Sequence, residues 1–139
     1  MRKNVLWFKE IGIKDVALVG GKNASLGEMY NHLVTKGINI PNGFSTTANS
    51  YFYFLKKNGL DLKIENILKN LNVADLKSLQ KKGKEIRELI IASNLPEDLK
   101  NDIVTAYQKL SQFYGVRNTD VAVRSSATAE DLPGASFAG

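Results

Sequence analysis

The fold is limited most by where helix-period and strand-period patterns fall along the chain. Residues 60–115 read as helix throughout. Ile64, Ile67, Leu68 and Leu71 share one helical face, and Ile86, Leu89 and Ile90 share another. Leu99, Ile103, Ala106, Leu110 and Phe113 carry a further stripe to Gly115. Strand-like runs lie only outside this block. They are Val5–Phe8, Val16–Val19, the strand–turn–strand pattern of Ile38–Phe44, and the β-branched alternation of Val121–Ser125. A mixed α/β (α+β) fold is therefore expected. A small sheet from the 5, 16, 40 and 121 regions would carry packed helices, with a helical block at 60–115.

Local signals divide the remainder. From Asn23, Leu26, Met29, Leu33 and Val34 repeat at helical spacing, and Gly37 is a natural stop because it accepts a left-handed backbone. Thr46 or Thr47 can cap the next helix, which carries Tyr51, Phe52, Phe54 and Leu55 and ends at Asn58-Gly59. Pro96 suits a first helical position, with Glu97 and Asp98 in the positive first turn behind it.

The 139 residues correspond to one domain, 43% hydrophobic, which argues against disorder. There is no cysteine, which excludes disulfides and thiolate zinc sites and fits a reducing cytoplasm. The apolar run after Met1 ends at Lys9 and Glu10, so no secretory signal is read there. No segment approaches the roughly 18 apolar residues of a transmembrane helix, and no membrane association is expected. The net charge is +5, compatible with nucleic acid or a small polyanion. Twelve of the 19 Lys and Arg lie between Lys56 and Arg117, interleaved with eight acidic residues. That interleaving reads as solvated helix faces, and no nucleic-acid partner is expected.

Three places could carry chemistry. In Gly20-Gly21-Lys22-Asn23-Ala24-Ser25 the glycines admit close approach of an anion, helix-start amides favour it, and Lys22 adds charge. A P-loop is excluded, because Val16 and Asn23 stand where that motif needs Gly and Ser or Thr. The alternative is a tight turn with a solvated lysine. Arg124, in an apolar strand followed by small residues, suits bidentate phosphate recognition. Its alternative is a salt bridge to Glu130 or Asp131. The run Ser126–Gly139 is small and turn-rich. It suits a loop that folds over phosphates, or equally a plain surface loop. His32, the only histidine, has Glu28 four residues before it and reads as an ordinary helix-surface residue. No nucleophile is proposed at Ser125 or Ser126.

These motifs are similar to those of the phosphoenolpyruvate synthase (pyruvate, water dikinase) family. Val19-Gly20-Gly21-Lys22-Asn23-Ala24-Ser25-Leu26-Gly27-Glu28-Met29 resembles its opening motif. Ile40-Pro41-Asn42-Gly43-Phe44 with Thr46-Thr47 resembles the next segment. Val123–Pro133, with Ala135–Gly139, resembles its arginine motif and the start of its glycine-rich loop. Asn42 and Gly134 depart from the usual residues, both at turn positions. Rifampicin phosphotransferases share the second motif and pyruvate phosphate dikinases share looser versions, while Lys22–Met29 favours the synthase.

The resemblance implies the amino-terminal part of an ATP-grasp nucleotide-binding domain, a single truncated domain over residues 1–139. It implies that Lys22 and Arg124 touch ATP phosphates, that Gly139 lies in the loop closing over them, and that Gly20 and Gly21 assist more weakly. In the family ATP, pyruvate and water give phosphoenolpyruvate, AMP and phosphate, with magnesium and a phosphohistidine on a separate domain. That domain, the pyruvate-binding domain and the metal ligands are expected outside this chain, so no catalytic or metal-binding residue and no tightly bound cofactor is expected within it. A non-enzymatic anion- or RNA-binding module is the alternative from another class. If Lys22 and Arg124 grip one polyphosphate, their head groups should lie within roughly 10 Å of each other across an open groove. Residues 60–115 would then be an excursion that returns the chain beside the first helix.

Overall fold

A computed structural model describes residues 3–129, which divide into two compact units. The first unit holds the chain up to Tyr51 and again from Asp98; the second spans Phe52–Glu97.

The first unit contains a two-stranded antiparallel sheet, β1 (Val5–Trp7) against β2 (Phe44–Thr46). Leu6 faces Ser45 and Trp7 faces Phe44 across it. The Trp7 and Phe44 rings meet at 5.6 Å and 60°, a tilted cross-strand aromatic pair. A polar seam fixes the sheet to the helix that follows. The Thr47 amide donates to the Asn4 carbonyl at 3.0 Å and the Ser50 hydroxyl to the same carbonyl at 2.8 Å. Thr47 caps helix α3 (Ala48–Lys57), its Oγ1 accepting the Ser50 amide at 3.3 Å. Of the two threonines expected as caps, Thr47 takes the role.

The expected sheet is larger than the one formed. Val16–Val19 is not a strand but a single helical turn, α1. A 3-10 turn at Ile13–Asp15 leads into it, closed by the Gly12 amide on Asp15 Oδ2 at 2.8 Å. The Gly20 amide bonds the Val16 carbonyl at 2.8 Å. These local bonds outweigh the weak strand preference of the β-branched residues. Residues 38–40 and 121–125 likewise form no strand. Val123 is 92% exposed, and no described segment supplies a neighbouring strand to satisfy its backbone.

Helix α2 (Gly21–Leu33) starts two residues before Asn23. It continues through a 3-10 turn to Gly37, whose φ of +80° provides the expected left-handed stop. Its packed face differs from the one the apolar spacing suggests. Gly21, Ala24 and Gly27 are buried, whereas Met29 and Val34 are each 40% exposed. The small residues face inward because the chain before α1 crosses directly over them. A Cβ added at Gly27 would meet the Ile11 carbonyl oxygen at 2.5 Å. Asn31 finishes the contact, its Nδ2 donating to the Ile11 carbonyl at 2.9 Å and that of Phe8 at 3.3 Å. Leu6, Ile11, Val19 and Ala24 form the core cluster here.

After the second unit the chain re-enters on helix α6 (Glu97–Phe113), one residue past Pro96. Leu99, Ala106, Leu110 and Ser111 are its buried residues. Phe113, expected on that stripe, is 60% exposed and packs edge-on against Tyr114 at 5.0 Å. Asn4 Nδ2 donates to Asp102 Oδ2 at 2.8 Å, tying α6 to the segment preceding β1.

The second unit is helical. The remainder of α3 ends at Asn58-Gly59, as expected, with Gly59 at φ +61°. Helices α4 (Leu60–Leu68) and α5 (Leu76–Ile91) follow. Asp75 caps α5, its carboxylate accepting the Ser78 amide at 3.2 Å. Leu60 is buried; Ile64, Ile67, Leu71, Ile86, Leu89 and Ile90 are half-buried, while Leu68 is exposed.

Two outcomes are expected from this packing. Ala is favoured over Gly in a helix by about 1 kcal/mol, but overpacking costs about 1–3 kcal/mol. Gly27→Ala, driven against the Ile11 backbone, is therefore expected to lower the urea unfolding midpoint. A raised midpoint would show that the crossing can spread apart. The second concerns Glu10, whose carboxyl is held below its ordinary value of 4.5, first by the Lys3 side chain and then by the Trp7 amide. A lowered folded-state value contributes stability above 4.5 that is lost as pH falls through the folded value. Melting curves between about pH 5 and pH 3 should drop less steeply for Glu10→Gln than for the native chain.

Candidate functional site

The glycine pair and the arginine segment converge at the start of α2. The backbone turns at Gly20, with φ +80° and ψ 160°, a conformation open to glycine and strained for other residues. That turn aims α2 so that its first residues border an open cavity of about 300 Å³. Gly21, Lys22, Asn23, Ser25, Leu26, Met29 and Arg124 line it. Lys22 and Arg124, far apart in sequence, thus share one solvent-facing cavity. Leu26 and Met29, which repeat at helical spacing, give this cavity an apolar wall.

Arg124 arrives by way of α6. After Phe113 the chain reverses at Gly115, with φ +68°. The Val116 amide bonds the Ser111 carbonyl at 3.0 Å. Buried Ser111 then accepts the Thr119 amide through its hydroxyl at 3.2 Å, and the Tyr107 hydroxyl donates to the Thr119 carbonyl at 3.0 Å. These bonds hold the segment leading to Arg124. The Arg124 side chain is exposed and makes no ion pair among the described residues. Its alternative partners Glu130 and Asp131 lie outside the described residues, as does Gly139.

The helix-start amides behave differently from the sequence expectation. The Gly21 amide donates to the Ala127 carbonyl at 3.3 Å, and the Asn23 amide to Ser126 Oγ at 3.4 Å. Two amides expected to face an anion are directed at the segment following Arg124. The charge facing the cavity is therefore carried by side chains. A lysine and an arginine at one opening attract a polyanion and repel each other, and water screens that repulsion when the cavity holds only solvent.

Asn23 joins the site to the core. Its Nδ2 donates to the Val19 carbonyl at 2.9 Å and to Ser45 Oγ at 2.8 Å. Sequence reasoning assigned no role to Asn23, and read Ser126 only as the start of a small, turn-rich run suited to folding over phosphates. The available signal was an amide side chain at the third position of a helix, four residues after Val19, where the stripe pattern offers it no partner. His32 is a surface residue, with Nε2 at 3.0 Å from Glu28 Oε1. Glu28 also accepts the Ile13 amide through Oε2 at 3.0 Å. Among the described residues, no group of three or more His, Cys, Asp or Glu could hold a metal ion.

Comparison with known proteins follows the same residues. The family described as pyruvate phosphate dikinase, AMP/ATP-binding domain, matches residues 16–139. Relatives named phosphoenolpyruvate synthase include one from Aquifex aeolicus (strain VF5), 56% identical over 135 residues and 97% of this chain. Another, from Synechocystis sp. (strain ATCC 27184 / PCC 6803 / Kazusa), is 50% identical over 97% of the chain. A third, from Escherichia coli (strain K12), is 47% identical over 97% of the chain. The chain spans only 16% of the Aquifex protein and 17% of the other two.

The two bonds of the Asn23 amide group set an expectation. Asn23→Ala should cost about 1–3 kcal/mol, since it leaves the Val19 carbonyl and Ser45 hydroxyl short of a donor. Urea unfolding of Asn23→Ala in native and Ser45→Ala backgrounds checks it. A smaller loss in the second background is expected, and equal losses would mean the Asn23–Ser45 bond contributes nothing.

Proposed function

The chain belongs to the family of pyruvate phosphate dikinase AMP/ATP-binding domains, and from that premise we propose that its cavity grips the polyphosphate of ATP between Lys22 and Arg124. The observation that carries the reading is that these two cations, from opposite ends of the chain, line one open cavity. A volume of about 300 Å³ is at the small end of ligand sites, enough for part of a nucleotide. Gly20 and Gly21 contribute by letting the backbone turn beside the phosphates. Gly139 is assigned to the loop that closes over them. The domain is of the ATP-grasp kind, and this chain supplies one wall of its cleft.

The names of the relatives favour phosphoenolpyruvate synthase over the other dikinases and rifampicin phosphotransferases. In this reading the whole protein is a phosphotransferase converting ATP, pyruvate and water to phosphoenolpyruvate, AMP and phosphate. A phosphohistidine domain and a pyruvate-binding domain of the same polypeptide would carry the later steps. Magnesium would accompany ATP, with its protein ligands outside the described residues. No described helix is long and apolar enough to cross a membrane. The same reading places the whole protein in the cytoplasm.

Half a cleft leaves each charged contact screened by water. ATP is expected to bind this chain with a dissociation constant in the millimolar range, about −4 kcal/mol. Lys22→Ala and Arg124→Ala should each weaken it further in calorimetric titration. Micromolar affinity, or binding indifferent to both substitutions, would overturn the assignment. With ATP, magnesium and pyruvate the isolated chain should release no AMP above buffer. Retardation of RNA that persists against salt would favour the nucleic-acid reading instead.

A further inference from the structure

Ser126 lies outside the cavity lining, yet it ends the path that brings Arg124 to α2. Its Oγ accepts the Asn23 amide at 3.4 Å, and the adjoining Ala127 carbonyl accepts the Gly21 amide at 3.3 Å. Both acceptors stand where an N-terminal cap would stand. Gly20, the residue in the cap position, has no side chain to offer the helix. The cap is supplied by a segment about a hundred positions away in sequence. Gly20 also makes room for it. A Cβ there would collide with Ser126 Oγ and lie 2.9 Å from the Ser126 carbonyl carbon. The contact has the geometry of a latch: a glycine socket, a serine hydroxyl in it, and one backbone bond beside it.

Two positions separate Ser126 from Arg124, and both side chains face the first turn of α2. Asn23 is bound on its other side to Val19 and Ser45, so the amide that Ser126 engages belongs to a fixed part of the core. The geometry points to Ser126 as a positioning residue that holds Arg124 against the Lys22 side of the cavity by capping α2 from a distance. The inference rests on the ATP-binding reading above and adds to it a residue that touches no phosphate. It also gives the segment after Arg124 a role other than covering the nucleotide.

The test is ATP titration of the native chain, Ser126→Ala, Ser126→Thr, Arg124→Ala and the Ser126→Ala/Arg124→Ala pair. Amide hydrogen exchange at Asn23 is followed without ATP in the same set. Ser126→Ala should weaken ATP roughly three- to tenfold, the scale of one lost hydrogen bond. Ser126→Thr, which keeps the hydroxyl, should restore most of it. In the Arg124→Ala background the same change should have little effect, because the residue being positioned is gone. Exchange at Asn23 should quicken in Ser126→Ala and stay near native in Ser126→Thr. Equal losses in both backgrounds, or unchanged exchange at Asn23, would overturn the positioning role. No ATP binding by the native chain at millimolar concentrations would instead overturn the functional reading, and the exchange arm would still report whether the latch forms.

Discussion

The structure depends on backbone passing unusually close to backbone along one side of α2. Gly20, Ala24 and Gly27 line that side, and two separate stretches of chain use it. The segment at Ile11 crosses over Gly27, while the segment at Ser126 crosses over Gly20. A methyl group at either glycine would meet main-chain atoms, which cannot rotate away as a side-chain tip can. This crowding brings the first strand, the core cluster and the arginine segment onto one short helix. Lys22 lies between the two crossed glycines in sequence and lines the cavity with Arg124.

That constraint also explains which parts of the fold were legible in the sequence. Turn and cap residues act within a few positions of themselves, and they read correctly: Gly37 and Gly59 take positive φ, and Thr47 caps α3. The 60–115 region is helical apart from its connecting turns, because amphipathic period is also local. The larger sheet was misread because a strand needs a partner that periodicity cannot name. Val16–Val19 has β-branched residues at both ends, but the turn closed by Asp15 and the bond from Gly20 commit it to helix. Val121–Val123 has strand composition and no paired neighbour among the described residues. Helix α2 buries Gly21, Ala24 and Gly27, a face that apolar spacing does not mark. Hydrophobic spacing predicts the face with the largest apolar side chains, whereas close backbone crossing selects the face with the smallest.

The site was partly legible for a chemical reason. Lys22 and Arg124 each stand among small residues, a pattern that suits close approach of a ligand. Their convergence could be anticipated only by supposing a common ligand, since nothing local links the two segments. The bonds that produce it pass through Ser111, Tyr107 and Thr119, residues whose polar groups look ordinary in sequence. Ser111 shows how such roles escape notice. It lies on the buried face of α6, where a helical serine reads as a weak position, yet its hydroxyl is the acceptor that turns the chain toward Arg124.

The division of labour at the start of α2 follows from the same bonds. A bare helix N-terminus attracts anions through its amides and dipole. Here the amides of Gly21 and Asn23 are already directed at Ala127 and Ser126. In the proposed reading, attraction for a polyanion therefore rests mainly on the charges of the Lys22 and Arg124 side chains. Amides at a helix start point in one fixed direction, whereas a side-chain cation acts on a polyphosphate through its full charge. Under the proposed ATP-binding reading, such a wall would meet the phosphate charge with side-chain cations and leave the helix-start amides to the fold.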